Sequence, residues 1–280
     1  MQHLLPQEPF LMLTNNFIIK LILTPCIIAA ATLVARRYGE RIGGIMIGLP
    51  LTSGPVSIFF AVEQGPTFAA SAARSAMLGL IPVAVFCASY VQSARRVPWQ
   101  MAAILSVLAY SLTVVTMSFL SLDLGVEVLA VSAALCIAFL LLGRIELKEH
   151  PIRSPWWDLP LRMVIATTLL IVITTGASAL GSKWAGLLSP FPIFTFVMAT
   201  FSHSQGGASA VWRFVRGVLM GLFSYTAFFV VVALLIDHTS LLVVYTLATI
   251  TSLTVNGAAL AVVLWRGHSA QRPGPGTAAS

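Results

Sequence analysis

Residues 48–55 read GLPLTSGP, with two glycines and two prolines in the middle of an apolar run long enough to cross a membrane. Proline removes a backbone donor and pushes against the carbonyl four residues back, and glycine is the next poorest helix former. Lipid offers no partner for the freed backbone groups. Such a break is tolerated only where it is buried in protein or lines a watered cavity. What surrounds this segment therefore decides both fold and function.

The surroundings are apolar almost throughout. Of 280 residues, 58% are hydrophobic and only 9% charged, and mean hydropathy is +0.93. Ordinary soluble domains carry about 25% charged residues. Apolar stretches of about 20 residues recur along the chain, the pattern of an all-α polytopic membrane protein. The net charge of +7 reflects the basic loops of such proteins. No basic stripe interleaved with aromatics points to nucleic acid. Cys26, Cys87 and Cys136 lie in apolar runs without CxxC spacing and read as small buried hydrophobes, not as a disulfide framework or metal site.

Nine spans are predicted, at 17–35, 42–62, 74–94, 99–120, 124–143, 161–180, 186–203, 216–236 and 240–265, and a tenth is the alternative. The first has no basic n-region before it and reads as a retained helix, not a signal peptide. Nine spans place 13 of the 16 basic residues on one side, leaving Lys20, Arg74 and Lys183 on the other. The positive-inside rule then puts the N-terminus outside and the C-terminus in the cytoplasm, in a cytoplasmic membrane of bacterial type. Residues 270–280 (AQRPGPGTAAS) are expected to be a disordered tail.

An internal repeat appears at an offset of 142. Gly39 meets Gly181, Gly44 meets Gly186, Pro50 meets Pro192, Gly65 meets Gly207, Arg74 meets Arg216 and Gly79 meets Gly221. The 70 ungapped pairs from residue 20 to residue 89 contain eleven identities, concentrated on Gly, Pro and Arg. An odd number of helices separates the copies, so they are expected to be inverted, as in many secondary transporters. The predicted organisation is a five-helix repeat over 1–143, a cytoplasmic linker over 144–160 and a four-helix repeat over 161–269, with helices 2 and 7 broken.

Pro50 lies nine residues past Arg41, and Pro192 nine past Lys183. At about 1.5 Å per residue both reach the midplane, from opposite faces. A proline kink used only for packing explains one such break. Two at matched depth in inverted copies favour a substrate site, with Pro50, Thr52, Ser53 and Gly54 opposite Pro192 and Thr195, and Asn256 of the ninth span as a further candidate. SPFPIFT, with Pro190, forms the second break.

Glu63 and Gln64 follow the second span, and His203 and Gln205 follow the seventh. They read either as solvated loop ends or as proton carriers (Glu63, His203) and gate hydrogen bonders (Gln64, Gln205). Arg74 and Arg216 either steer an anion or anchor at the interface by snorkelling. Glu127 lies a few residues into the fifth span, and Trp156 and Trp157 of SPWWDLP read as interface anchors. HExxH, Walker A, GxSxG and paired intramembrane aspartates are absent from the sequence, so no enzymatic activity, cofactor or metal is expected.

The expected function is proton-coupled secondary transport of a small solute or ion by alternating access. The alternative is a non-transporting subunit or passive channel acting with a partner protein. The expected partners are the bilayer, the solute and a second copy of the chain.

Overall fold

The computed structural model describes residues 8–119, 122–143, 155–179 and 191–270, and these are helical with no strand among them. The helices are α1 (Glu8–Tyr38), α2 (Glu40–Ile47), α3 (Ser53–Gln64), α4 (Pro66–Leu78), α5 (Leu80–Ala94), α6 (Trp99–Met117), α7 (Leu124–Leu141), α8 (Asp158–Ala179), α9 (Ile193–Leu235) and α10 (Leu241–Ala270). Among the described residues, five helical stretches are long and apolar enough to cross a membrane: Pro66–Ala94, Trp99–Met117, Leu124–Leu141, Ile193–Leu235 and Leu241–Ala261. Large apolar side chains point outward, among them Leu108 and Leu112 of α6, Leu129 and Leu140 of α7, and Leu242 of α10. This is the surface of a membrane protein, whose exterior solvent is hydrocarbon.

The expected break at GLPLTSGP is present. Helix α2 ends at Ile47, where the Gly48 N–H still reaches the Gly44 carbonyl at 3.1 Å. The chain then turns, and α3 starts at Ser53 with the Gly54 N–H on the Pro50 carbonyl at 2.9 Å. Pro55 falls in the first turn of α3, where a missing N–H costs no helical bond. Eight and twelve residues make helices of about 12 and 18 Å, so neither crosses the hydrocarbon alone. Pro190 and the rest of 180–190 lie outside the described residues, as do most of the linker 144–160 and the tail 271–280. Pro192 is the residue before α9.

Two expected boundaries are corrected. The helix expected to begin at residue 74 begins at Pro66, and the one expected to begin at residue 216 begins just past Gly207. In both places a glycine with positive φ turns the chain: Gly65 (φ 88, ψ 168) and Gly207 (φ 65, ψ −166). Phe60 and Phe68 meet edge-on at 5.4 Å although eight residues apart. A continuous helix would separate them by about 12 Å along its axis, so α3 and α4 form an antiparallel hairpin. Pro66 follows at the first position of α4, where its fixed φ suits a helix start. Gly79 keeps helical angles (φ −58, ψ −14), so α4 runs on into α5.

Helix α9 contains the same kind of reversal. Before Gly207 it runs alongside α5, with Phe196 near Phe86 and His203 near Tyr90. After Gly207 it runs alongside α2, with Phe214 near Gly44 and Gly221 near Gly48. Helix α5 ends, and α2 begins, at the Gly207 end. Ser202 before the turn and Gly217 after it both reach the start of α2, at Glu40 and Arg41, whereas 15 residues of straight helix would part them by about 22 Å, so the two segments of α9 run in opposite senses. The Gly65 and Gly207 hairpins lie at opposite ends of the 29-residue Pro66–Ala94 helix, about 43 Å in length. A third correction concerns α8, which starts at Asp158, inside the expected linker.

The core of the molecule is the contact between α2 and the second segment of α9. Gly44 and Gly48 of α2 meet Gly217 and Gly221 of α9, a pair of GxxxG faces that lets two backbones touch. A Cβ at Gly48 would lie 2.6 Å from the Gly221 Cα, and one at Gly221 would lie 2.5 Å from the Ile45 carbonyl oxygen. At Gly217 it would overlap the Arg41 carbonyl outright. Helices α10, α4, α5 and α7 surround α9, while α1 packs on α2 and α8.

Replacing Gly217 or Gly221 by Ala should therefore push the helices apart and cost about 1–3 kcal/mol. Gly125→Ala and Gly257→Ala, where nothing lies within 4 Å of the added carbon, should leave stability unchanged or raise it slightly. Thermal unfolding in one detergent distinguishes the two groups.

Candidate functional site

Two polar regions lie inside this helical bundle. The first surrounds the GLPLTSGP break. The Ser53 side chain lies close to the Tyr225 hydroxyl of α9, and Asn256 Nδ2 of α10 donates to the neighbouring Ser224 Oγ at 3.2 Å. One turn further along α3, the Tyr245 hydroxyl of α10 donates to the Ser57 carbonyl at 2.7 Å. Its single proton being used there, the 2.9 Å contact with Ser57 Oγ is donated by the serine. Gly54 faces the Phe228 ring. The predicted Ser53, Gly54 and Asn256 thus converge on adjacent turns of α9. Thr52 and Pro50 are partly buried beside them in sequence. Thr195 is buried at the start of α9, where Phe191 and Phe196 pack on Tyr110 and Phe86.

The second region is ionic and lies at the Gly207 end, between α1, α2, α8 and α9. Asp158, fully buried at the start of α8, accepts from Arg36 Nη2 at 2.7 Å, from Arg162 Nε at 3.0 and 3.1 Å, and from Gln205 Nε2. Arg162 is itself buried. Its remaining nitrogens reach Gln205 Oε1 and the Met198 sulfur at 3.3 Å each, and its guanidinium lies 4.8 Å from the Phe201 ring centroid. Beside this group Ser202 Oγ donates to Glu40 Oε2 at 2.8 Å. His203 is buried with its ring edge-on to Tyr90, and its Nδ1 has no hydrogen-bond partner among the described residues.

The local electrostatics set the two carboxylates apart. Burial alone would raise the Asp158 carboxyl, but the bonds from Arg36, Arg162 and Gln205 outweigh it and hold it below its ordinary value. For Glu40 burial prevails. The Ser202 bond and the charges of Arg162 and Arg213 only partly offset it, Asp158 adds to it, and the carboxyl stands above its ordinary value.

No family model, curated protein or solved structure matches the chain. Its chemistry is read from its own geometry.

The remaining predicted residues fall outside these two regions. Glu63 and Gln64 are exposed at the end of α3 beside the Gly65 turn. Arg74 forms a two-pronged pair with the buried Glu127 of α7, at 3.0 and 2.8 Å, and also donates to the Leu122 carbonyl at 2.7 Å. Arg216 lies over the Phe139 and Trp212 rings at 4.7 and 5.0 Å. Reading His203 as a solvated loop end is overturned, because the Gly207 turn tucks it against α5. Cys26 and Cys136 are exposed; Cys87 alone of the three is buried. Glu40, Asp158, Arg162 and Arg36 were not singled out as site residues in the sequence, where they read as loop or topological charges. The Asp158-x₃-Arg162 spacing, one helical turn, was the available signal.

Removing one member of a buried ion pair strands the other, at a cost of about 3–5 kcal/mol. Asp158→Asn should therefore destabilise the protein strongly in thermal unfolding. Arg36→Gln, at the more exposed partner, should cost about 1 kcal/mol or less.

The pH dependence has a definite sign. With its folded pKa below the unfolded one, Asp158 contributes stability above the ordinary aspartate range, and that contribution disappears as pH falls through the range. Asp158→Asn should accordingly flatten the acid limb of a Tm-against-pH profile. A limb of wild-type steepness in the variant would contradict this assignment.

Proposed function

We propose that the chain is a secondary active transporter of a small solute, coupled to protons and working by alternating access between two inverted repeats. The observation that carries this reading is the pair of glycine-hinged hairpins. Gly65 and Gly207 have closely similar backbone angles, occupy opposite ends of the molecule, and are 142 residues apart, the offset of the sequence repeat. The helices follow the same register. Ser53–Gln64 and Pro66–Ala94 map onto the two segments of α9, Trp99–Met117 maps onto the start of α10, and α8 maps into α1. Two such units of opposite orientation, with broken backbone between them, suit a site exposed alternately to either side.

The solute site in this reading lies at the GLPLTSGP break, where Thr52, Ser53 and Gly54 meet the α9 turn that carries Ser224 and Tyr225, with Asn256 closing it from α10. Pro192 and Thr195 are the second repeat's counterparts of Pro50 and Ser53 in the register of 142. The coupling proton belongs to the ionic region at the Gly207 end, since Glu63 is exposed and Arg74 is neutralised by Glu127. Orientation follows the charge distribution, with the N-terminus outside and the Gly207 end cytoplasmic.

The test is proton flux into proteoliposomes that enclose a pH dye, with pools of organic acids, amino acids, amines and metal ions added outside. One pool should acidify or alkalinise the lumen, and splitting it identifies the solute. Glu63→Gln should transport within about twofold of wild type, because Glu63 lies exposed at the Gly65 turn, away from both polar regions. Folded protein that moves no protons with any pool would instead be a passive pore or a non-transporting subunit.

A further inference from the structure

The ionic region at the Gly207 end has more positive charge than it uses. Three guanidiniums, Arg36, Arg162 and Arg213, act on two carboxylates, Asp158 and Glu40. Asp158 is committed, with two arginines and Gln205 on its two oxygens. Glu40 is not: its one hydrogen bond to a side chain comes from the Ser202 hydroxyl, and no arginine reaches it directly among the described contacts. Its carboxylate is thus a loosely held anion lying in the field of Arg162 and Arg213. Arg36, at the edge of the same cluster, is one-third exposed, so the cluster reaches the surface of the molecule.

We propose that this junction of α1, α2, α8 and α9 is a binding site for a small monocarboxylate anion, and that Glu40 is the group whose proton admits it. When Glu40 is ionised, its own carboxylate holds the Ser202 hydroxyl, and the three guanidiniums and two carboxylates leave a net charge of plus one. A proton on Glu40 removes one negative charge, so the net charge beside Ser202 and Arg213 rises to plus two. A monocarboxylate restores the balance. One proton and one anion enter together, and the site's net charge is the same before and after.

The charged or titratable neighbours are Arg36 from α1, Arg41 next to Glu40 on α2, Asp158 and Arg162 from α8, and His203 and Arg213 from α9. Asp158 repels the ionised form of Glu40 and so assists its protonation, while the arginines oppose it. A guanidinium with a hydroxyl donor is a planar, charge-assisted receptor that suits a carboxylate. The proposal rests on the transport reading only in making this anion the coupled solute, held here at the Gly207 end on its way to the site at the GLPLTSGP break.

The experiment uses the full chain in phosphatidylcholine nanodiscs, with lactate as the probe and ethanolamine at equal ionic strength as the control. Unfolding temperature is followed against ligand concentration, since a ligand that binds only the folded form raises it. Lactate should stabilise wild type at about pH 5.5, and its apparent affinity should fall by about tenfold per pH unit once Glu40 ionises. Glu40→Gln, which fixes the uncharged state, should bind lactate equally at both ends of that range. Ser202→Ala, which keeps the carboxylate and the fold but removes the donor, should weaken binding at least about tenfold.

The site is overturned if folded wild type responds no more to lactate than to ethanolamine, or if Glu40→Gln keeps the wild-type pH dependence. Unchanged affinity in Ser202→Ala overturns it as well, even if the Glu40 variant does not fold. Flux separates the two claims. Lactate binding that follows Glu40 without proton-linked uptake leaves the site standing and removes transport. Proton-linked uptake with wild-type pH dependence in Glu40→Gln leaves transport standing and removes the site.

Discussion

The structure depends on a short helix that cannot exist alone. Helix α2 has eight residues and ends in a break that no lipid-facing segment could tolerate. Its backbone is sheltered because Gly44 and Gly48 lie directly against Gly217 and Gly221, with no side chain between. Lipid tails are as apolar as leucine, so burying apolar area gives two helices little reason to associate within a bilayer. Close packing of backbone on backbone does give one. With α2 fixed in this way, the turn at residues 49–52 and the start of α3 are held inside the protein, where α9 and α10 supply Tyr225, Tyr245 and Phe228 around them.

The ionic junction depends on the same packing. Glu40 is the first residue of α2 and Ser202 lies five residues before the Gly207 turn, so the glycine contact brings the two within hydrogen-bonding distance. Burial of charge on this scale is costly unless every partner is present, and Asp158 has them all. Glu40 has a single hydroxyl donor. The difference between the two carboxylates follows from which helix each one starts: α8 carries its own arginine one turn on, at Arg162, whereas the next turn of α2 carries Gly43 and Gly44.

Much of this was legible in the sequence, and the rest was not for definite reasons. GLPLTSGP announces a broken helix because proline and glycine act locally. Gly65 and Gly207 stand out because they repeat in one register, although their role as hairpin hinges needs their dihedral angles. Asp158 reads as linker because its partners, Arg36 and Gln205, lie 122 and 47 residues away. Counting arginines by membrane side, as topology requires, says nothing about which carboxylate each will meet. Arg74 likewise reads as an interfacial anchor until Glu127 is found facing it. The GxxxG faces are present in the sequence as ordinary small residues; that they face each other is a long-range fact.

The separation of those two faces also constrains the order in which the protein can be built. Gly217 is synthesised about 170 residues after Gly44, roughly ten seconds later or more at ordinary translation rates. Throughout that interval α2 has α1 on one side, but the face that Gly44 and Gly48 present to α9 is uncovered. The N-terminal half therefore has no finished state of its own, and its second helix must wait at the insertion machinery or at the membrane surface until α9 arrives. Cutting the gene between α7 and α8 would give two fragments, of which the first should be degraded unless the second is made alongside it.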